Sequence, residues 1–198
     1  MFRRPPGSNE TDQTLRAICR VIEQKQAGQG GEVARRQLVI LKIGAEEFAA
    51  DIMLTKEVVL MREITPVPGT EAYVEGVMNL RGTLVPVLDL RKRLHAHPSP
   101  ALPENRIVVV QLEGKSAGLI VDGASEVIRV ADEQIEPVPD LISEMGVEYI
   151  EGVLNLKGRY ITLINLQSAL SSEILAKLDD VMQLLSGQRE RPTIAQAG

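Results

Sequence analysis

A segment of this chain occurs twice, and that repeat constrains the possible folds more than any other feature. Residues 73–94 read YVEGVMNLRGTLVPVLDLRKRL, and residues 149–170 read YIEGVLNLKGRYITLINLQSAL. The copies align without a gap and share a tyrosine, a glutamate, an asparagine, two glycines and several apolar residues. A repeat of this kind indicates one structural unit used twice. With small gaps the similarity extends over about 37–95 and 106–170, which predicts a tandem duplication.

Each copy is predicted to be a small β unit. Gly76 and Gly82 lie where a bulge or a tight turn leaves no room for a side chain, and Pro86 suits an edge strand or a bulge. Short strands with turn signals between them favour a small closed barrel, since closure removes exposed edges. Strands are predicted at about 37–43, 47–53, 56–61, 76–80 and 83–90, and again at 106–112, 116–121, 125–130, 150–156 and 159–166.

Helices are predicted on both sides of the duplicated region. The domain is expected over 36–176, after an extension of residues 1–35 and before a flexible tail of residues 188–198. An amphipathic helix is predicted over 12–26, with one apolar face formed by Leu15, Ile18, Cys19 and Ile22. Gly28–Gly31 reads as a linker, and the proline-rich 97–103 as an extended connector. A C-terminal helix is predicted over 171–187, docked on the domain by Ile174, Leu175, Leu178, Val181, Met182 and Leu185.

Composition argues against several classes of partner. Aromatic residues make up 3% of the chain and the net charge is −5, so neither base stacking nor general phosphate binding is favoured, and no nucleic-acid partner is expected. The local basic run Arg91–Arg93 is predicted to be a solvated surface. No apolar run approaches the ~18 residues that span a bilayer, so direct membrane insertion is not expected. A cytoplasmic location is expected instead.

Residues with catalytic or metal-binding potential are scarce. His95 and His97 have no Cys, His or carboxylate at customary ligand spacing and are expected to be loop histidines. Ser125 lacks the second glycine of a nucleophile elbow, and Cys19 is expected to be a packed thiol. We therefore expect no cofactor, no metal and no enzymatic activity.

One charge is unusual because it interrupts an apolar hairpin. Arg81 lies in the sequence Asn79–Gly82, and we expect it to pair with Glu57 across strands. Arginine suits bidentate contacts with carboxylates at interfaces, whereas an exposed turn arginine contributes almost nothing to stability. The residues alone leave these two interpretations open.

The same hairpin carries a resemblance to the CheW family, the adaptor proteins of bacterial chemosensory arrays. The family pattern of a glycine, V-x-N-L-R-G and V/I-P-V-x-D-L is met at Gly76, Val77, Asn79, Leu80, Arg81, Gly82, Val85, Pro86, Val87, Asp89 and Leu90. A second pattern, G-L-I-V-D-x-V-S-E-V, is met at Gly118, Leu119, Ile120, Val121, Asp122, Ser125, Glu126 and Val127, and Ala124 departs from it. The resemblance implies two intertwined five-stranded SH3-like barrels around a shared apolar core.

The resemblance also implies a function. A family member is a non-enzymatic adaptor that joins the cytoplasmic helical tip of a chemoreceptor to a CheA-type histidine kinase. The binding positions carried over to this chain are Thr55, Glu57, Gly76, Asn79 and Arg81, although the family usually has an aliphatic residue at the first of them. The predicted helix 12–26 has no counterpart in a minimal adaptor, which suggests an output such as pilus motility or a second messenger. The alternatives are a stand-alone peptide-binding double barrel and an enzyme or metal protein built on a small barrel.

Overall fold

A computed structural model describes residues 35–94, 102, 104–138, 148–171, 174–178 and 182–183. The first copy forms β1 (Arg35–Ile43), β2 (Glu46–Asp51), β3 (Thr55–Leu60), β4 (Val74–Leu80), β5 (Thr83–Asp89) and the short helix α1 (Leu90–Arg93). The second copy forms β6 (Arg106–Leu112), β7 (Lys115–Val121), β8 (Gly123–Ala131), β9 (Ile135–Pro137), β10 (Ile150–Leu156), β11 (Arg159–Ile164) and α2 (Leu166–Ala169). Single 3-10 turns at Ile52–Leu54 and Asp132–Gln134 precede β3 and β9.

The two copies exchange strands. A five-stranded sheet has the order β3-β6-β7-β5-β4, and a six-stranded sheet has the order β8-β1-β2-β11-β10-β9. The hairpin β6–β7 of the second copy therefore completes the sheet of the first, and the hairpin β1–β2 completes the sheet of the second. Each sheet contains one parallel contact at the exchange, β5 with β7 and β11 with β2, while the other pairs are antiparallel.

Within the described ranges the hydrophobic core has three parts. One cluster is enclosed by the five-stranded sheet, and all five strands contribute to it; its buried members are Met78, Leu80, Val85, Val87, Ile107, Val109 and Ile120, with Val59 of β3 packed against them. A second is enclosed by the six-stranded sheet and includes Leu38, Ile40, Val130, Leu154, Ile161 and Leu163. The largest cluster lies between the sheets and draws on both copies, through residues such as Val39, Leu41, Leu88, Val108, Leu119 and Ile164. Aliphatic side chains fill all three clusters. Each sheet encloses one cluster, and the third is shared between the two sheets.

The predicted mainly β double barrel is confirmed, and the predicted strands agree with the observed ones within about two residues. The strand β9 is additional, because Ile135–Pro137 pairs with β10 where the equivalent part of the first copy makes only the bridge Thr65–Val77. The predicted final strand ends earlier, since Asn165 caps α2 through bonds from the amides of Gln167 and Ser168.

The interpretation of Pro86 as an edge or bulge residue is wrong. It lies on β5, which is flanked by β7 and β4, and it faces Val77 in an unbroken stretch of register. The parallel ladder with β7 begins only at Val87, so the missing N–H of Pro86 removes no hydrogen bond from that ladder.

Several predictions fall on other parts of the chain. The helix 12–26, the glycine linker, both histidines and the 188–198 tail lie outside the described residues. Residues 174–178 and 182–183 are helical and belong to the predicted C-terminal helix. Ile174, Leu175 and Leu178 are buried in the core between the sheets, as the apolar stripe predicted.

Candidate functional site

The β4–β5 turn is a two-residue hairpin loop with a polar side chain at its base. Arg81 and Gly82 both have positive φ angles, 53° and 89°, which is the geometry that such a tight turn requires. The amide of Gly82 donates to Oδ1 of Asn79 at 2.7 Å, so the asparagine holds the turn closed. The same geometry recurs in the second copy at Asn155, Lys157 and Gly158. The repeated asparagine and glycine therefore have a structural role in both hairpins.

Arg81 is displayed at the surface by this turn and held by a carboxylate from another strand. Its Nη2 lies 2.9 Å from Oε2 of Glu57 on β3, as the sequence predicted. The side chain of Arg81 is 78% exposed and that of Glu57 is 21% exposed. A pair with this exposure contributes about 0–1 kcal/mol to stability. Its main effect is to orient the guanidinium, which keeps most of its surface open to solvent.

Gly76 sits at a bulge in β4 where the backbone leaves no space. Its φ angle is 137°, and an added Cβ would lie 2.0 Å from the carbonyl oxygen of Thr65. Thr65 is also held to Val77, the residue after this glycine, by two backbone hydrogen bonds: the Thr65 amide donates to Val77 at 2.8 Å and the Val77 amide donates to Thr65 at 2.9 Å. The glycine therefore allows the segment after β3 to run antiparallel to β4 at close distance.

Thr55 lies inside the molecule rather than on its surface. It begins β3, pairs in register with Val110 and is 3% exposed. Its Oγ1 is buried and makes no hydrogen bond within the described part of the chain. Burial leaves this side chain little surface for a direct contact with a partner.

The five carried-over positions thus do different things. Arg81 and Glu57 are in contact at the surface. Asn79 and Gly76 shape the hairpin that carries Arg81, and Thr55 is buried at the start of β3. Two exposed apolar side chains were not predicted from the sequence: Met53, in the turn before β3, is 62% exposed, and Leu60, the last residue of β3, is 55% exposed. Each lies within or next to an apolar run that reads as core, so no pattern distinguishes it.

A second polar cluster is buried at the junction of the two copies. The guanidinium of Arg91 donates to both oxygens of Asp89 and, at 2.8 Å, to Asp122. The Arg91 side chain is 2% exposed, so the prediction of a solvated basic surface is wrong for this residue. Its hydrogen bonds to Asp89, opposed by burial, raise the pKa of Arg91 above its usual value.

The carboxylate of Asp122 extends this cluster to two other segments. It accepts hydrogen bonds from the backbone amide of Gly44 at 2.6 Å and from the side-chain amide of Asn105 at 3.1 Å. The β1–β2 turn, the start of β6 and the end of β5 therefore meet at one ionic centre. In the second copy, Asn165 and Gln167 occupy the positions of Asp89 and Arg91, and neither carries a charge. The second copy therefore has no equivalent of the Asp89–Arg91 ion pair at these positions.

Neither a metal site nor a membrane-spanning helix is seen in the described ranges. No group of three or more His, Cys, Asp or Glu residues there could hold a metal ion. No helix there is both long enough and apolar enough to cross a bilayer.

Comparison with known proteins gives a consistent assignment. The family profile described as "CheW-like domain" matches residues 37–174. The chain is 36% identical over 138 residues to "Chemotaxis protein CheW" of Rhizobium meliloti (strain 1021), which covers 70% of this chain and 89% of that protein. It is 34% identical over 152 residues to the protein of the same name from Klebsiella aerogenes, which covers 76% of this chain and 91% of that one.

A solved structure agrees in fold as well as in sequence. The crystal structure of the scaffolding protein TtCheW from Thermoanaerobacter tengcongensis superposes with a TM-score of 0.64 and 31% sequence identity, covering 71% of this chain and 96% of that one. The motifs, the exchanged double barrel and the matched length all point the same way, and the chain belongs to the CheW-like domain family.

Proposed function

We propose that this protein is a non-enzymatic adaptor that couples the cytoplasmic helical tip of a chemoreceptor to a CheA-type histidine kinase. Membership of a family whose relatives are named as chemotaxis and scaffolding proteins supports this role. An adaptor needs two partner surfaces, and an exchanged pair of related but unequal barrels offers two.

The observation that carries the proposal is the display of Arg81. An arginine that is 78% exposed, yet oriented by Glu57 and by a rigid turn, loses less side-chain freedom on binding than an unrestrained one. We propose that Arg81 and Glu57 contact the receptor tip directly. Asn79 and Gly76 act by shaping the hairpin, and Thr55 acts only through the position of β3.

The domain limits are part of the same proposal. Residues 36–176 would form the partner-binding unit, with residues 1–35 as an extension whose role differs from that of the barrels. The family match over 37–174 supports these limits.

Stoichiometry provides the test, because an adaptor bridges its partners and does not turn over. At low concentration each added molecule completes a receptor–kinase link, and in excess the two partners are occupied by separate adaptor molecules. Kinase activity in a mixture of receptor tips, kinase and this protein should therefore rise and then fall as the protein is titrated.

Two results would contradict the proposal. A strictly proportional rise without a maximum would indicate a one-partner activator or a catalyst. A flat response in which the protein still binds receptor-tip peptides, but not the kinase, would favour a stand-alone peptide-binding module. The matched control is Arg81→Ala, which should shift the maximum to higher concentration.

A further inference from the structure

The duplication places two equivalent clefts on the molecule, one beside each parallel strand contact. In the five-stranded sheet the cleft is lined by Thr83, Leu84 and Pro86 of β5 together with Lys115 and Ser116 of β7. In the six-stranded sheet it is lined by Arg159, Tyr160 and Thr162 of β11 together with Glu46 and Glu47 of β2. These sets occupy the same positions in the two copies of the repeat. We call them the covered cleft and the open cleft.

The covered cleft is filled by this chain's own C-terminal helix. Leu175, Leu178 and Met182 line it, and the first two of them are each 4% exposed. The remaining volume is about 300 Å³. In the five-stranded sheet, an amphipathic helix of this chain therefore already occupies the cleft beside the parallel strand contact.

The open cleft has about twice that volume and an exposed aromatic ring. It measures about 620 Å³, and no helix lines it within the described residues. Tyr160, the equivalent of the half-buried Leu84, is 69% exposed. The open cleft therefore presents an apolar ring at the position where its counterpart presents a covered leucine.

The rim of the open cleft carries more negative than positive charge. Arg159 is held there by Glu47 and by Glu126 of β8, whose hydrogen bonds raise the pKa of the guanidinium. With Lys42 and Glu46, the rim has two cations and three carboxylates. Glu46 is exposed and takes no part in the ion pairs among the described residues. A basic helix flank would complement this surface.

We propose that segment 12–26 of this chain docks in the open cleft as an amphipathic helix, in the place that the C-terminal helix takes in the covered cleft. Its predicted apolar face is formed by Leu15, Ile18, Cys19 and Ile22, which would pack against Tyr160. Arg16 and Arg20 lie one turn apart on one flank of that face and would approach Glu46 and Glu47.

The connecting chain is long enough for this arrangement. The described chain starts at Arg35, the first residue of β1, and the open cleft lies at the opposite end of that strand, beside Lys42 and Gly44. Arg35 and Lys42 are separated by seven residue steps along β1, which is about 23 Å at ~3.3 Å per residue. Residues 27–34 reach about 26–29 Å when extended, so the end of the helix arrives at the near edge of the cleft.

The single native cysteine provides the test, because it lies on the apolar face of the segment. In the full-length protein, Glu46→Cys places one new thiol on the rim of the open cleft, and Lys115→Cys places one at the equivalent position of the covered cleft. Both variants are treated with a short bis-maleimide, and the linked peptides are identified by mass spectrometry. We expect an intramolecular link to Cys19 in the Glu46→Cys protein, formed at least about tenfold faster than in the Lys115→Cys protein.

A third variant separates docking from chance collision. Ile18→Glu in the Glu46→Cys background should reduce the linking rate to that of the Lys115→Cys control, since it places a charge on the apolar face. Equal rates in the two single-cysteine variants, or an undiminished rate after Ile18→Glu, would overturn the proposal. A link that joins two molecules instead of one would also overturn it, because the occupant would then be a second copy.

Discussion

Arg91 and Asp89 form a buried ion pair, with Nη2 of the arginine 2.7 Å from Oδ2 of the aspartate and both side chains 2% exposed. Asp89 also caps α1 by accepting hydrogen bonds from the amides of Arg91 and Lys92. Asp89 is thus the last residue of β5 and the N-cap of α1. Its carboxylate also neutralises Arg91, which binds Asp122 of the second copy as well. Because these charges are out of water, removing one of them leaves the others uncompensated.

Arg91→Met should therefore lower the free energy of unfolding by about 3–5 kcal/mol, since it leaves the buried carboxylate of Asp89 and the partly exposed one of Asp122 without their cation. The measurement is urea denaturation of the variant beside the parent protein. Lys92→Met is the matched control. Lys92 is the cation next to Arg91 in the chain, but it is 37% exposed and pairs with Glu75 at the surface, where such a pair contributes at most about 1 kcal/mol. Equal losses in the two variants would show that burial of Arg91 has no energetic consequence.

Arg81→Ala should leave folding nearly unchanged and weaken binding to a receptor-tip peptide by about 2 kcal/mol or more, if Arg81 is an interfacial hot spot. Lys157→Ala provides a control in the same turn of the second copy, with the same φ of 53°. Titration calorimetry of both variants against the peptide measures the difference. An affinity for Arg81→Ala equal to that of the parent would remove this residue from the proposed site.

Gly76→Ala should be far more damaging than Gly82→Ala, although both glycines have positive φ angles. The first substitution drives a Cβ to within 2.0 Å of the Thr65 carbonyl oxygen, whereas nothing lies within 4 Å of the second. We expect a loss of at least about 3 kcal/mol for the first and about 1–2 kcal/mol for the second, from the left-handed backbone alone. Thermal unfolding of the two variants tests the order, and a reversal would mean that β4 shifts away from Thr65 at little cost.

Thr55→Val should stabilise the protein by about 1 kcal/mol, because it replaces a buried hydroxyl without a hydrogen-bond partner among the described residues by a methyl group of similar size. Thr83→Val at the exposed start of β5 is the control and should change stability little. Receptor binding should be unaffected by either change. Destabilisation by Thr55→Val would indicate that the hydroxyl has a partner after all.

Deletion of residues 1–30 should spare the fold, since the described members of the three core clusters all lie after Arg35. Loss of a helix docked on an exposed cleft should shift the thermal midpoint by no more than about 4 °C, equivalent to about 1 kcal/mol. A much larger fall in the midpoint would place the Leu15–Ile22 face inside the core and move the start of the domain towards the N-terminus.

Strand positions, turns and the family motifs could be predicted from the sequence because they depend on local chemistry. Alternating and clustered aliphatic residues specify where strands lie, and glycines specify where the backbone takes a positive φ, as at Gly76 and Gly82. The Arg81–Glu57 pair was also predicted from the sequence, but the contact depends on tertiary structure, because β3 and β4 are the two end strands of the five-stranded sheet. The repeat itself determined that the two halves would resemble each other.

The tertiary structure decided which hairpins share a sheet and which polar residues are buried. Every strand of one copy resembles its counterpart in the other, so local preference cannot distinguish a sheet built within a copy from one that exchanges β1–β2 for β6–β7. That choice depends on burying the third core between the sheets, which requires aliphatic residues from both copies at once. The exchange also brings Asp122 to Arg91, and this long-range contact turns an arginine in a basic run into a buried ion pair. Contacts of this kind arise from the packing of distant segments, and no local pattern records them.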